Sequence, residues 1–316
     1  MSGFILADAM YYVNMASEFS LEEILFFGYF NILGPVLFIK LMGLNIDLVI
    51  LVYLSGFALA LRELGRHTSV QLAKFAFLLL ANPLVFINLV SPNKEIAMVL
   101  AILFIIVHIH SGRFSHVLMA IGFAAISKIE FLILILFFLG VRKILPKRRS
   151  ILLGLLLVLI SLFYGTVAAL GGRDQILIEG QAEGSAGIVM ALHNLAAQHF
   201  LFVIVAIPRL VVVAFEGVIV FLMGGQGDRI TVVSNAWSGI MFATIGLSVI
   251  RKIKLRLEDD AVLLLFLLML MVAIIPFPHH RYLLPTYPLL LYFMLRPQSS
   301  QRPVASAKVS CVFTRT

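Results

Sequence analysis

The chain has 316 residues, 61% of them hydrophobic and 13% charged, with 24 Lys and Arg against 16 Asp and Glu. A mean hydropathy of +1.07 excludes a soluble domain, and several runs reach the roughly 20 apolar residues that a bilayer crossing needs. The net charge of +8 does not signal nucleic acid, because the basic residues lie between apolar runs. The single cysteine, Cys311, excludes an internal disulfide and a cysteine-rich metal site.

The fold class that follows is all-α, a polytopic transmembrane helical bundle; the short alternating segments of a β-barrel are not found. Residues 1–296 form the membrane domain, and its first 44 residues read as an outer-face, interfacial segment. Residues 1–14 lack the basic n-region of a cleavable signal. Ser20-Leu21-Glu22-Glu23 is a capping box that starts a helix at Leu21, and Gly34-Pro35 interrupts it. An acidic start and an apolar remainder suit a helix lying on the membrane.

Spans are expected at residues 46–61, 70–90, 95–110, 151–170, 237–250, 261–275 and 282–295, with Asn82-Pro83 breaking the second. Arg62 and Arg66, Arg113, the basic run 142–149, the run 251–256 and Arg296 with Arg302 mark the cytoplasmic side. Arg113 and Arg142 then share a side, so residues 114–127 and 131–140 must pair as two short helices around Ser127-Lys128-Ile129-Glu130. The same parity predicts that residues 200–223 are not one crossing: either a re-entrant hairpin broken at Pro208-Arg209, or a descent over residues 186–207 with a return over 210–223. Short broken helices at membrane depth are tolerated where they border a cavity. Residues 297–316, rich in Ser, Gln, Arg and Lys, read as a disordered cytoplasmic tail.

Four groups of residues fall on the outer face. Asp8, Tyr12 and Ala16 lie at i, i+4 and i+8 on one helical stripe; Asp8 is either a general base towards a hydroxyl, with Tyr12 on a sugar, or a helix cap. Lys94 and Glu95, in the turn Ser91-Pro92-Asn93-Lys94-Glu95, either bind substrate or are simply solvated. Lys128, beside Glu130, either contacts a phosphate or snorkels. His279, His280 and Arg281, followed by Tyr282 in a proline-studded turn, either hold phosphate oxygens or sit in the headgroup layer. The neighbouring histidines have no carboxylate or third histidine in helical reach, and the pairs His108/His110 and His193/His199 lack ligand spacing. Glu216 is costly to bury alone, and Arg209 is a candidate partner.

Taken together these groups resemble the GT-C superfamily of integral-membrane glycosyltransferases. Asp8…Tyr12…Ala16 is similar to that family's first-loop acidic stripe, and Gly122 to Lys128 to its short-helix pair with a central lysine. Arg281-Tyr282-Leu283-Leu284-Pro285-Thr286-Tyr287-Pro288 is similar to its late Arg-Tyr-Leu-x-Pro element. Asn82-Pro83 leading into Ser91–Glu95 also resembles O-antigen polymerase-like proteins. The resemblance implies a GT-C-like fold and a polyprenyl-phosphate- or diphosphate-linked sugar donor. Asp8 would deprotonate the acceptor hydroxyl, while Arg281, His280 and Lys128 hold the lipid phosphate. It implies a saccharide or lipid-linked saccharide acceptor, a bacterial inner-membrane location with an outward-facing active side, and a place in surface-polysaccharide assembly. No cofactor is fixed by it, and whether a divalent metal assists stays open. Two alternatives stand beside it: a Wzy-type polymerase, and a transporter or flippase of lipid-linked sugars, which would spread polar residues through the spans.

Overall fold

The computed structural model describes residues 7–20, 22–23, 30–144, 146–169, 192, 202–222, 229–252, 256–274 and 280–297. Every regular element among them is helical. In order these are α1 (Ala7–Glu18), α2 (Phe30–Leu41), α3 (Ile46–His67), α4 (Leu72–Leu80), α5 (Pro83–Leu89), α6 (Lys94–Ser111) and α7 (Phe114–Ala125). They continue with α8 (Ile129–Arg142), α9 (Pro146–Ala169), α10 (Phe202–Leu222), α11 (Arg229–Lys252), α12 (Asp260–Ile274), a 3₁₀ segment (His280–Thr286) and α13 (Tyr287–Leu295). Helices α3, α6, α10 and α11 are long and apolar enough to cross a membrane, and α4 with α5 makes a fifth candidate bent by 85°. The chain is a multi-pass membrane protein, all-helical among the described residues.

Helix α6 is the axis. Every residue from Lys94 to Val107 is buried, as befits a helix that is apolar on all sides and surrounded by others. Helices α3, α7 and α13 and the 3₁₀ segment pack around it. Helix α10 shows the opposite pattern. Phe202, Val205, Arg209, Val213 and Gly217 face inward, whereas Ile204, Ile207, Val211 and Phe215 are exposed at helical spacing. Such an apolar stripe would be a liability in water and is the expected surface against lipid.

Close helix crossings use glycine. A Cβ on Gly217 would collide with the Asn235 carbonyl, and one on Gly239 would lie 3.0 Å from the Ala214 carbonyl oxygen. The pairs 217/235 and 214/239 run in opposite directions, so α10 and α11 are antiparallel. At the end where the basic clusters collect, Asp260 opens α12 and accepts from Arg142 Nε (2.6 Å) and Arg149 Nη1 (2.8 Å), while Arg296 pairs with Asp259 (2.9 Å). These bonds tie α8, α9, α12 and the end of α13 together.

Several expectations hold. Ser20 and Glu23 form the reciprocal capping box, with Ser20 N donating to Glu23 Oε2 (2.6 Å) and Glu23 N to Ser20 Oγ (3.2 Å). Asn82 breaks the 70–90 run, and its Oδ1 accepts from Leu84 N at 3.0 Å to start α5 with Pro83 in the first turn. The short pair α7 and α8 forms around Ser127-Lys128. Three expectations are corrected. Gly34-Pro35 does not interrupt its helix, because α2 runs through both residues. Helix α10 continues past Pro208 as one 21-residue helix, so residues 202–222 are not broken there. A proline removes one internal hydrogen bond and kinks a helix, but packing on neighbours can hold the helix together. The 282–295 span is instead a 3₁₀ segment followed by a nine-residue helix. The loop 171–199 and the tail beyond Pro297 lie outside the described residues, Leu192 excepted.

Candidate functional site

The site is built at the N-terminal end of α6. After the 85° bend at Asn82-Pro83, α5 ends at Leu89 and a tight turn, with Asn93 N donating to the Ser91 carbonyl at 2.7 Å, starts α6. That turn is buried: Ser91, Asn93 and Glu95 are each 1% exposed and Lys94 8%. The solvated-turn alternative for Lys94 and Glu95 therefore fails. Lys94 Nζ lies 5.1 Å from the centre of the Tyr12 ring, in cation–π contact. Tyr12 and Ala16 are both buried on the predicted stripe of α1.

Four neighbouring side chains of this turn are short of hydrogen bonds. Asn88 Oδ1, Ser91 Oγ, Asn93 Oδ1 and both carboxylate oxygens of Glu95 are buried and find no partner among the described residues. Buried acceptors normally have partners, and leaving a charged one without costs several kcal/mol by rough estimate. Oxygens in this state are matched to hydroxyl groups, which donate a hydrogen bond, or to a hard cation, which accepts their lone pairs.

The α7–α8 connection comes up beside this turn. Ser127 Oγ donates to the Ala124 carbonyl (2.7 Å), and the Lys128 carbonyl accepts from Leu132 N (3.0 Å) to begin α8. Gly34 of α2 lies so close that a Cβ there would overlap the Ala125 carbonyl. Lys128 lies between the two helices with its Nζ 4.1 Å from the centre of the Tyr282 ring. Its ammonium is lowered to about 8 from the ordinary 10.5, mainly by burial and then by the positive charge of Lys94, with Arg281 adding to it. Glu95 and Glu130 pull the other way. The chain thus brings Tyr12, Lys94, Glu95, Lys128, Arg281 and Tyr282 to one place from four separate segments.

Below Lys128 a cavity of about 510 Å³ opens between α6, α8, α9 and α12. Lys128, Glu130 and Tyr282 make its polar end. Its walls are apolar, with Met98, Phe131, Leu156 and Leu267 among them. A cationic head over a hydrocarbon-lined chamber has the polarity profile of an amphiphile with an anionic headgroup.

The backbone of Asp8 lies in the first turn of α1, one turn before Tyr12, but its side chain lies outside the described residues. So does His279, and so does the side chain of His280, whose backbone opens the 3₁₀ segment. The sequence reading missed the buried oxygens of Asn88, Ser91 and Asn93, since nothing local reveals whether a polar turn is covered. It also missed a cluster of Glu63, His67 and His116, for which the i, i+4 spacing of Glu63 and His67 was the available signal. Compared with protein families, with curated proteins and with solved structures, the chain finds no match.

Proposed function

We propose that this protein is a membrane glycosyltransferase of GT-C-like architecture that takes its sugar from a polyprenyl-phosphate-linked donor. The observation that carries this reading is Lys128 at the polar end of a chamber of about 510 Å³ with apolar walls. The chamber takes the first isoprene units, and Lys128 with Arg281 and His280 takes the phosphate. The hydrogen-bond-starved oxygens of Asn88, Asn93 and Glu95 suit the hydroxyls of a sugar, each of which donates one proton.

In the reaction the bond from the anomeric carbon to the phosphate oxygen breaks, and its electron pair leaves with the lipid phosphate. The acceptor hydroxyl oxygen bonds to the anomeric carbon, and its proton passes to the Asp8 carboxylate, a role that rests on the sequence resemblance. Lys128 and Arg281 stabilise the charge that grows on the leaving phosphate. Preformed cations in a water-poor site are most effective at that moment. The active side faces away from the cytoplasm, and the product belongs to a cell-surface polysaccharide.

The test is transfer from isotopically labelled polyprenyl-phosphate sugars by the full chain in proteoliposomes, followed by mass spectrometry. Asp8→Asn and Arg281→Ala, each alone, are expected to abolish transfer while the protein stays folded. Undiminished transfer by Asp8→Asn removes the base assignment, and undiminished transfer by both removes the reading. One added sugar identifies a transferase, and a product ladder identifies a polymerase.

A further inference from the structure

At the opposite end of the bundle, where Arg62, Arg66 and Arg113 collect, three side chains converge without any part in the proposed transfer. Glu63 and His67 sit one turn apart at the end of α3, and His116 projects from the first turn of α7. Glu63 Oε2 lies 3.4 Å from His67 Nε2 and 3.5 Å from His116 Nε2. All three candidate ligand atoms lie within 4.8 Å of one another. We propose that this is a binding site for a divalent transition ion of the zinc class, with Glu63, His67 and His116 as its ligands.

The two contacts are loose for an ion pair. A charge-assisted N–H···O⁻ bond closes to about 2.7–2.9 Å, and both contacts are longer by half an ångström or more. Ligand bonds of about 2.0–2.1 Å in a tetrahedron put neighbouring ligand atoms about 3.3–3.4 Å apart. The two contacts are close to that edge length, and the space between the three atoms is where an ion would sit.

The surroundings orient the ligands as second-shell groups do in metal sites. Arg66 Nη1 donates to the other carboxylate oxygen of Glu63 at 3.0 Å, which leaves Oε2 for the ion. His116 Nδ1 is 2.8 Å from Ser111 Oγ, and that oxygen also accepts from Arg113 N at 3.2 Å. With Nδ1–H donating to Ser111, the Nε2 lone pair of a neutral His116 points at the site. Placement is fixed from below as well: Gly56 of α3 meets the ring of Phe123 of α7, where any Cβ would collide. Glu63 is two turns above Gly56 and His116 is two turns before Phe123, so the antiparallel pair delivers the ligands at the same level. His67 is 21% exposed, against 8% for His116, which gives the ion a path to water and leaves a fourth position for a water ligand. A bound ion would pin the end of α3 to the start of α7.

The experiment is a Co²⁺ titration of the full chain, purified in detergent without a histidine tag, read by visible absorption and then by Zn²⁺ competition. One Co²⁺ per chain is expected, with the intense d–d bands of a four-coordinate site, lost on addition of Zn²⁺. His67→Ala and His116→Ala each remove the bands. Ser111→Ala keeps them but weakens binding about 10–100-fold. Zn²⁺ should raise the melting midpoint of the wild type above its value in chelator and leave the midpoint of His116→Ala at its own value in chelator. Absence of the bands in the wild type overturns the site, and so does stoichiometric Co²⁺ binding that survives the double substitution of both histidines.

Discussion

Replacing Lys128 with methionine tests the binding chamber through two opposed effects. Because burial lowers the ammonium to about 8 from 10.5, keeping it charged in the folded protein costs roughly 3 kcal/mol. That penalty is complete below pH 8, where folded and unfolded chains are both protonated. It fades as pH rises from about 8 towards 10.5, where only the unfolded chain still holds the proton. The substitution removes the penalty and keeps the stem, but loses the 4.1 Å contact with Tyr282, worth about 0.5–2 kcal/mol. Lys128→Met should therefore be more stable than wild type by roughly 1–2.5 kcal/mol at pH 7, and the difference should shrink at higher pH. Its affinity for polyprenyl monophosphate in nanodiscs should fall about 10–100-fold with the loss of one charge-assisted bond. Wild-type affinity should hold level between pH 7 and 8, where the lipid phosphate is mostly doubly ionised, and decline above pH 8, while the variant shows no such decline. Thermal unfolding in detergent and a lipid-binding titration at four pH values would measure both. A variant that is less stable at pH 7 and binds the lipid as tightly as wild type would refute the reasoning.

Two further perturbations probe the same end of the bundle. Glu95→Gln removes a carboxylate that holds the Lys128 proton on, so the pH at which lipid phosphate binding declines should move below about 8; an unmoved midpoint would show that the two groups do not sense each other. Gly34→Val forces a side chain into the Ala125 carbonyl and should destabilise by about 1–3 kcal/mol, lowering the thermal midpoint and weakening lipid phosphate binding together. A normal midpoint would mean that α2 does not press on the Lys128 turn.

What could be read from the sequence was whatever depends on near neighbours. The capping box at Ser20, the break at Asn82-Pro83 and the short pair around Lys128 are each specified within a few residues, and each formed as expected. Prolines misled where tertiary support decides. Pro35 lies in a helix held against the α7–α8 turn at Gly34, and Pro208 lies one residue from Arg209, whose guanidinium donates to the Ala273 carbonyl at 2.6 Å. Conversely, Pro285 and Pro288 shortened the last helix more than composition suggested. Local sequence could not tell whether Ser91 to Glu95 is wet or dry. The answer comes from α1 and the 3₁₀ segment, which reach the turn from distant parts of the chain. His116 becomes a partner of Glu63 for the same reason, through packing set at Gly56 and Phe123.

The two ends of the bundle treat their charges differently, and that difference supports placing the proposed transfer at the N-terminal end of α6. At the basic end, Asp260 satisfies Arg142 and Arg149, Asp259 meets Arg296 and caps α12 through Ala261 N, and His110 meets Tyr292 at 2.7 Å. Those groups complete one another and need no ligand. At the other end Glu95 is 1% exposed, and neither of its carboxylate oxygens accepts a hydrogen bond from the described residues. Three further buried side-chain oxygens share its turn in that condition. Exchanging Glu95 for an apolar residue would relieve that cost, since a buried carboxylate without a hydrogen bond is poor evidence of a stabilising role. A turn whose buried oxygens find no partner among the described residues, beside a cationic chamber, suits a donor that arrives with the ligand. The apolar chamber beside Lys128 is where a lipid would bring it.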